Sequence, residues 1–510
     1  STWHGFDTSR AQQDIWAVQR LNPDLPINTA QAADIVGPLD IDEFVRTTSR
    51  VVEEAKFTQL RFVESSEGPI GIYDPVLHHW VEVLDLRHCD SPCAAADAIM
   101  REDYSRPLDP RTDRTARGLL FRLADEHFLL YNRGHHLLSD GMGGKDKMVE
   151  ALTAYTAAVR GEPLPPLSPV DLDLPARADA QYRASTRFDT DRRAWRQSMA
   201  GVGIGKTLAH RGGLPESIGV ATSAVIPEDT MDRLRTAAAQ STTIVPTIIA
   251  AALSSYISRT ANGDEVIIRF PVAARTTKEL RTTPLPVANT VPLRTHVEPQ
   301  SSVASALRTT QSALMNALRH QRYRGEDIWA DGAADELSGR TPRTAGQEKS
   351  GPMLNLMLFD REVPCGDATA TFHILTVGPP EDLTINIYPM PKKSGSDSLM
   401  AAFEANPNRY SQAEVEVHHR RFLGMLETFS RALLEEPERL VGELPLDVEE
   451  EVGWGGGLDT SSPSGSDYST TRTGCSSGGG GLRGLDTSSP SGSDYSTTRT
   501  GCSTGDGGER

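Results

Sequence analysis

Cysteine is scarce in this chain: five among 510 residues, an odd number. Cys89 and Cys93 sit beside His88, but a structural zinc site needs about four ligands, and no second CxxC or HxxxH pair completes one. No metal is expected, and the cysteines read as reduced thiols. Long hydrophobic runs are also missing. The best, Ile248 to Leu253, falls far short of the roughly 18 residues a membrane-spanning helix needs. Ser1 to Trp16 is polar and lacks the apolar stretch of a signal peptide. These absences predict a cytoplasmic protein without membrane contact. Positive charge is short as well. Lys and Arg number 52 against 69 Asp and Glu, a net charge of −17, and only eight of the cations are lysines. Such a balance argues against a nucleic-acid partner. What is present, 38% hydrophobic and 24% charged residues, permits a sizeable core and excludes a wholly disordered chain.

Composition changes abruptly near Trp454. From Gly455 to Arg510 the chain is almost entirely Gly, Ser, Thr, Asp, Arg and Pro. The segment GLDTSSPSGSDYSTTRTGCS occurs twice in it, from Gly457 and from Gly484. Each copy offers only a Leu, a Tyr and a Cys to a core, while ordering a residue costs on the order of 1–2 kcal/mol. The reading is a disordered Gly/Ser/Thr-rich tail over 454–510 with a duplicated segment.

The preceding 450 or so residues alternate helical and strand patterns. Helical spacing fills Gly143 to Val159, where Met148, Ala151, Leu152, Tyr155 and Val159 share a face. A hairpin over Leu119 to Leu130 feeds a strand ending near His135. Ala178 to Met199, Val245 to Ser258 and Arg420 to Leu434 read as helices. Glu265 to Val272, Asn355 to Phe359, Thr371 to Val377 and Leu383 to Tyr388 read as strands. The Pro-rich stretch Gly161 to Pro175 cannot continue a helix and marks the linker. The expectation is two α/β lobes, 1–175 and 176–453.

The sharpest local signal is RGHHLLSDGMGG, Arg133 to Gly144. Adjacent residues on a strand point to opposite faces, so His135 and His136 cannot share one task. One imidazole can face a cleft, where its unperturbed pKa lets it take and return a proton near neutral pH. Asp140 could hold the turn through an ion pair with an arginine, or orient an imidazole. Gly141 permits a positive φ and lets a substrate approach the backbone. A satisfied pair of core histidines is the plainer explanation of two such residues. Chance, however, yields HHxxxDG in a chain so poor in His about once in a thousand sequences.

HHLLSDG resembles the active-site motif of the condensation domains of nonribosomal peptide synthetases, which share a fold with chloramphenicol acetyltransferase. SRAQQDIW (Ser9 to Trp16), GPLDIDEF (Gly37 to Phe44), AQYRASTRFDTDRRAWRQSMAG (Ala180 to Gly201), PVANTVPLR (Pro286 to Arg294) and RHQRYRGEDI (Arg319 to Ile328) are similar to further segments of that family, in family order. The resemblance implies two acetyltransferase-like lobes forming a V-shaped pseudo-dimer with a central tunnel. Carrier proteins would present a donor acyl or aminoacyl thioester on a phosphopantetheine arm at one mouth, with an amine or hydroxyl acceptor, carrier-bound or free, at the other, giving an amide or an ester. The chain itself would bind no cofactor. Residue by residue, His136 matches the catalytic second histidine, His135 the first, Asp140 the structural acid and Gly141 the backbone position beside the donor. Asn289 is the candidate substrate-binding residue of the Asn-Thr segment. The family's LRTxF arginine, which pairs with the motif Asp, is replaced here by Gln59 in TQLRF. Arg61, two positions on and on the same strand face, becomes the candidate partner of Asp140.

No phosphate-binding Gly-rich loop, no carrier attachment segment and no GxSxG elbow is present. Both substrates must then arrive from outside, which suggests a free-standing condensation enzyme. Two alternatives share the motif: an acyltransferase of the same fold using a coenzyme A thioester, and a catalytically inert docking domain.

Overall fold

The computed structural model describes residues 4–446 apart from 78–80, 168–169, 203–205, 262, 337–350, 359–361 and 391–397. The duplicated segments and the tail lie outside the described residues.

Two six-stranded sheets organise the chain. The first runs, edge to edge, Glu362–Cys365, Ala368–Thr376, Asn28–Val36, His127–His135, Ala116–Ala124 and Val81–Asp85. All neighbours pair antiparallel except Val81–Asp85, which runs parallel to Ala116–Ala124. Its apolar face carries Ala33, Ile35, Leu120, Phe128, Leu130 and Phe372, and is covered by Phe44 of the helix Ile41–Ala55 and by Met148, Leu152 and Tyr155 of the helix Gly141–Val159. A three-stranded sheet of His4–Asp7, Gly68–Tyr73 and Leu60–Ser65 sits beside it.

The second sheet runs Asn289–His296, Glu265–Val272, Met353–Leu356, Leu383–Pro389, Leu399–Ala405 and Val220–Val225. The helices Glu228–Gln240, Val245–Thr260, Val303–Arg319 and Gln412–Glu435 share its core. Ile248 to Leu253, the longest apolar run, is fully buried there. Among the described residues no single helix is long and apolar enough to cross a membrane.

Two expectations need correction. The hairpin Glu362–Cys365 and Ala368–Thr376 belongs to the first sheet, although it lies within the stretch 176–453 assigned to the second lobe. Ala178 to Met199 is two helices, Leu174–Arg183 and Thr186–Ser198, because the Ser185 hydroxyl accepts the Phe188 N–H and caps a new start. Cys89 and Cys365 are free thiols.

Candidate active site

His135 closes the strand His127–His135, and a tight loop leads from it to the helix Gly141–Val159. Backbone bonds fix that loop at both ends. The His135 N–H donates to the Thr115 carbonyl at 2.7 Å and the His136 N–H to the Ile27 carbonyl at 2.9 Å. Asp140 caps the helix, accepting the Gly143 N–H at 2.9 Å.

The two histidines part company here. His135 is fully buried. Its Nδ1 accepts the Leu137 N–H at 3.1 Å, so Nε2 carries the proton and donates to Gln19 Oε1 at 2.8 Å. Burial, helped by the neighbouring His136 and Arg133, drives its pKa down to about 3. This ring is neutral and structural. His136 is half-buried and lines a cavity of about 430 Å³ between the two lobes. Its Nδ1 is buried without a hydrogen-bond partner, which leaves Nε2 as the nitrogen open to a substrate. Burial lowers its pKa below the usual 6.5, and its own carbonyl and the charge of Asp140 offset this only in part. At neutral pH His136 is therefore an unprotonated base.

Asp140 is held from the second lobe. Arg275 donates Nη1 to Oδ2 at 2.7 Å and Nη2 to Oδ1 at 2.9 Å, and the N–H groups of Val287 and Ala288 reach Oδ2 at 3.1 and 3.0 Å. Burial raises its carboxyl pKa, but Arg275 and the N–H groups of Gly143 and Val287 outweigh it and hold the carboxyl below its usual range. The expected partner, Arg61, is elsewhere: it lies in the three-stranded sheet and pairs with Asp74 at 2.7 Å. Period-two spacing places Arg61 on a strand face but cannot say which sheet that strand joins.

Gly141 lines the cavity, yet its φ is not positive. A Cβ there would meet nothing within 4 Å, so the glycine keeps space open to the substrate rather than relieving strain. Strict need for glycine falls two residues on, where a Cβ at Gly143 would lie 2.2 Å from the Pro284 carbonyl oxygen. Asn289 also lines the cavity, but its amide is already engaged. Nδ2 donates to the Gln321 and Tyr323 carbonyls at 2.9 and 2.8 Å, and Oδ1 accepts the Gly325 N–H at 3.0 Å. It fastens the segment after Arg319 instead of meeting a substrate through that amide.

Two glutamines that were not among the expected site residues complete the support, the first of them within SRAQQDIW. Gln12 forms a capping box with Ser9 at the start of the helix Arg10–Leu21, and its Nε2 donates to the Leu137 carbonyl at 2.9 Å. Gln19, two helical turns on, holds His135. Their spacing of seven was a legible signal for one helix face. Arg275 had none. Among the described residues no group of His, Cys, Asp and Glu could hold a metal ion.

A cavity between two mixed α/β lobes, with one neutral imidazole facing it, is the arrangement that the resemblance to condensation domains implies. The family model for condensation domains matches residues 6–451, and the chain belongs to that family. The dimodular nonribosomal peptide synthase of Bacillus subtilis (strain 168) is 28% identical over 447 residues, 88% of this chain and 18% of that protein. The isonitrile lipopeptide synthase of Streptomyces coeruleorubidus is 30% identical over 437 residues, 85% of this chain and 29% of that protein. The chain thus spans less than a third of the length of either relative. Among solved structures, the first condensation domain of the calcium-dependent antibiotic synthetase, in complex with a substrate analogue, has a TM-score of 0.75 at 26% identity, covering 88% of this chain and 100% of that one. The starter condensation domain of rhizomide synthetase, in complex with C8-CoA and Leu-SNAC, has a TM-score of 0.75 at 26% identity, covering 86% of this chain and 96% of that one.

Proposed function

We propose that this chain joins an acyl or aminoacyl thioester to an amine, with His136 as the base. The acceptor amine attacks the thioester carbonyl, and Nε2 of His136 takes the proton that the attacking nitrogen sheds. Collapse of the tetrahedral intermediate breaks the carbon–sulfur bond, and the proton returns to the departing sulfur. The amide and a free thiol are the products. Holding two activated partners together supplies about 7–11 kcal/mol. A positioned base adds roughly 10²–10⁴-fold. The observation that carries this reading is a neutral imidazole, open to the cavity at one nitrogen, on a loop fixed by the His136 N–H to Ile27 bond and by the bonds to Asp140.

Donor and acceptor are assigned to phosphopantetheine arms of carrier proteins in the cytoplasm. A pocket of about 70 Å³ beside Gly141, with Leu130, Leu138 and Met148 among its walls, suits a donor's acyl group. A coenzyme A thioester is the second reading of the donor, favoured by the C8-CoA complex of the rhizomide synthetase domain. Carrier-loaded and coenzyme A-linked donors, offered side by side to the wild type, decide between them by relative rate.

The decisive variant is His136→Ala. It should lower product formation by about 10²–10⁴-fold, read by intact mass of loaded carriers, with an unchanged melting temperature. Because the pKa of His136 lies below 6.5, the base form persists as pH falls to that value, and the acid limb of the wild-type rate profile should begin below it. Near-normal product from His136→Ala would remove the catalytic role and leave the docking-domain alternative.

A further inference from the structure

Every cation on the cavity wall is already matched. Arg275 pairs with Asp140 at 2.7 Å, Arg269 with Glu381 at 2.8 Å, and Arg324 with Asp14 at 3.1 Å. Glu326 shares Arg324, at 3.6 Å. One acid of that wall is left over, Glu404. Among the described residues its carboxylate has no hydrogen bond and no ion pair, and burial alone pushes its pKa up to about 7.

The fold aims this carboxylate. Glu404 belongs to the strand Leu399–Ala405 of the second sheet, between Thr384 on one neighbouring strand and Ala221 on the other. Phe403 before it packs against His419 and Phe422 on the helix-covered side, so Glu404 takes the opposite side, toward the first lobe. Its charge is felt there by Tyr104, whose phenol pKa is raised to about 12, mainly by burial, with Arg101 opposing and Glu404 adding to the rise. The stem is packed as well: a Cβ at Gly219 would lie 3.0 Å from Glu404 Cγ and 3.0 Å from Pro380 Cγ. A held stem with an unmatched head, facing a cavity that also contains the reacting imidazole, is an arrangement for a ligand that brings the missing cation. The head is open to the cavity rather than sealed from it, so a ligand entering there can reach it.

We propose that Glu404 is a specificity-determining residue that receives a positively charged nitrogen, an ammonium or guanidinium, carried by the acceptor in addition to the amine that attacks the thioester. The inference rests on the condensation reading above. It assigns Glu404 to the acceptor because the pocket beside Gly141, in the first lobe, suits the donor's acyl group, whereas Glu404 stands on the sheet of the second.

The test is a competition between the N-acetylcysteamine thioesters of lysine and norleucine for one acyl donor, in wild type and in Glu404→Gln. Wild type should favour lysine by about tenfold or more, and the ratio should fall toward one in the variant. A wild-type ratio near one, or the same ratio in both proteins, overturns the assignment. Calorimetric binding of lysine amide and norleucine amide to both proteins separates the site from the reaction. Lysine-selective binding that disappears in Glu404→Gln, in a protein that makes no product, upholds the site and sinks the condensation reading. Equal binding of both amides to both proteins sinks the site.

Discussion

At Asp140 five hydrogen bonds converge on two oxygens, and four of them come from the second lobe: two from the Arg275 guanidinium and one each from the Val287 and Ala288 N–H groups. A carboxylate so held fits an anchor rather than an actor, in keeping with the proposal that His136 carries the chemistry. Gly141 follows Asp140 on the cavity wall, and a Cβ there would meet nothing within 4 Å. Gly141→Val would place a branched side chain in the open space beside the imidazole while easing the backbone entropy of the unfolded chain, worth about 0.4–1 kcal/mol for the simpler Gly→Ala change. Melting temperature should hold or rise slightly while condensation drops by about tenfold or more, and a variant that melts early would show the space to be illusory. At this scale the sequence was informative where the chemistry is local. HHLLSDG placed one histidine inward and one on the cavity, as observed. The partner of Asp140 was not legible, because Arg275 is 135 positions away and one arginine among many carries no local mark. Asn289 misled for the opposite reason: the segment around it was recognisable, but its amide closes a neighbouring backbone turn.

The helix Arg10–Leu21 shows how an element can serve a site it does not enter. Ser9 and Gln12 cap it reciprocally, and the same Gln12 amide reaches the Leu137 carbonyl in the loop between His136 and Asp140. Ser9 also touches the other lobe, its hydroxyl donating to the Pro286 carbonyl at 3.2 Å. Gln12→Ala therefore removes half of a cap and leaves a buried carbonyl without its donor. A cost of about 1–3 kcal/mol is expected from the unsatisfied carbonyl alone. Because the loop carries His136, the rate constant for condensation should fall with little change in KM. Chemical denaturation and steady-state kinetics read the two effects, and a KM rise at constant rate would instead put Gln12 against substrate. Strand periodicity was a reliable guide in Glu265–Val272, where buried Val266, Ile268, Phe270 and Val272 alternate with half-exposed Glu265, Arg269 and Pro271, and whose bounds match the expected ones. Helix continuity was less reliable at Ser185, since a serine's own hydrogen bond competes with the helix and ends it without any Gly or Pro to announce the break.

The whole molecule is less divisible than its Pro-rich linker suggests. A cut at residue 175 separates the two lobes in sequence, yet the strand Ala368–Thr376 pairs along the length of Asn28–Val36, from Thr369 opposite Val36 to Thr376 opposite Ala30. Cys365, Ala368, Ala370 and Phe372 from that hairpin are buried in the core of the first lobe. The ion pair between Arg275 and Asp140 crosses between the lobes a second time. No linker composition could reveal these crossings, because both join segments more than a hundred residues apart. Residues 1–175 alone would therefore keep Asn28–Val36 as an unpaired edge, expose apolar surface beneath the missing hairpin, and leave Asp140 buried without its cation. Unpaired edges template aggregation, and stripping one partner from a buried pair costs about 3–5 kcal/mol. The fragment should be insoluble, or lack a cooperative melting transition, when expressed alone. Co-expression with residues 176–453 should restore a soluble complex that copurifies, while the intact chain melts in one transition through its folded part. A soluble 1–175 fragment with its own sigmoidal melt would show instead that the crossing hairpin is an accessory to a lobe that is already complete.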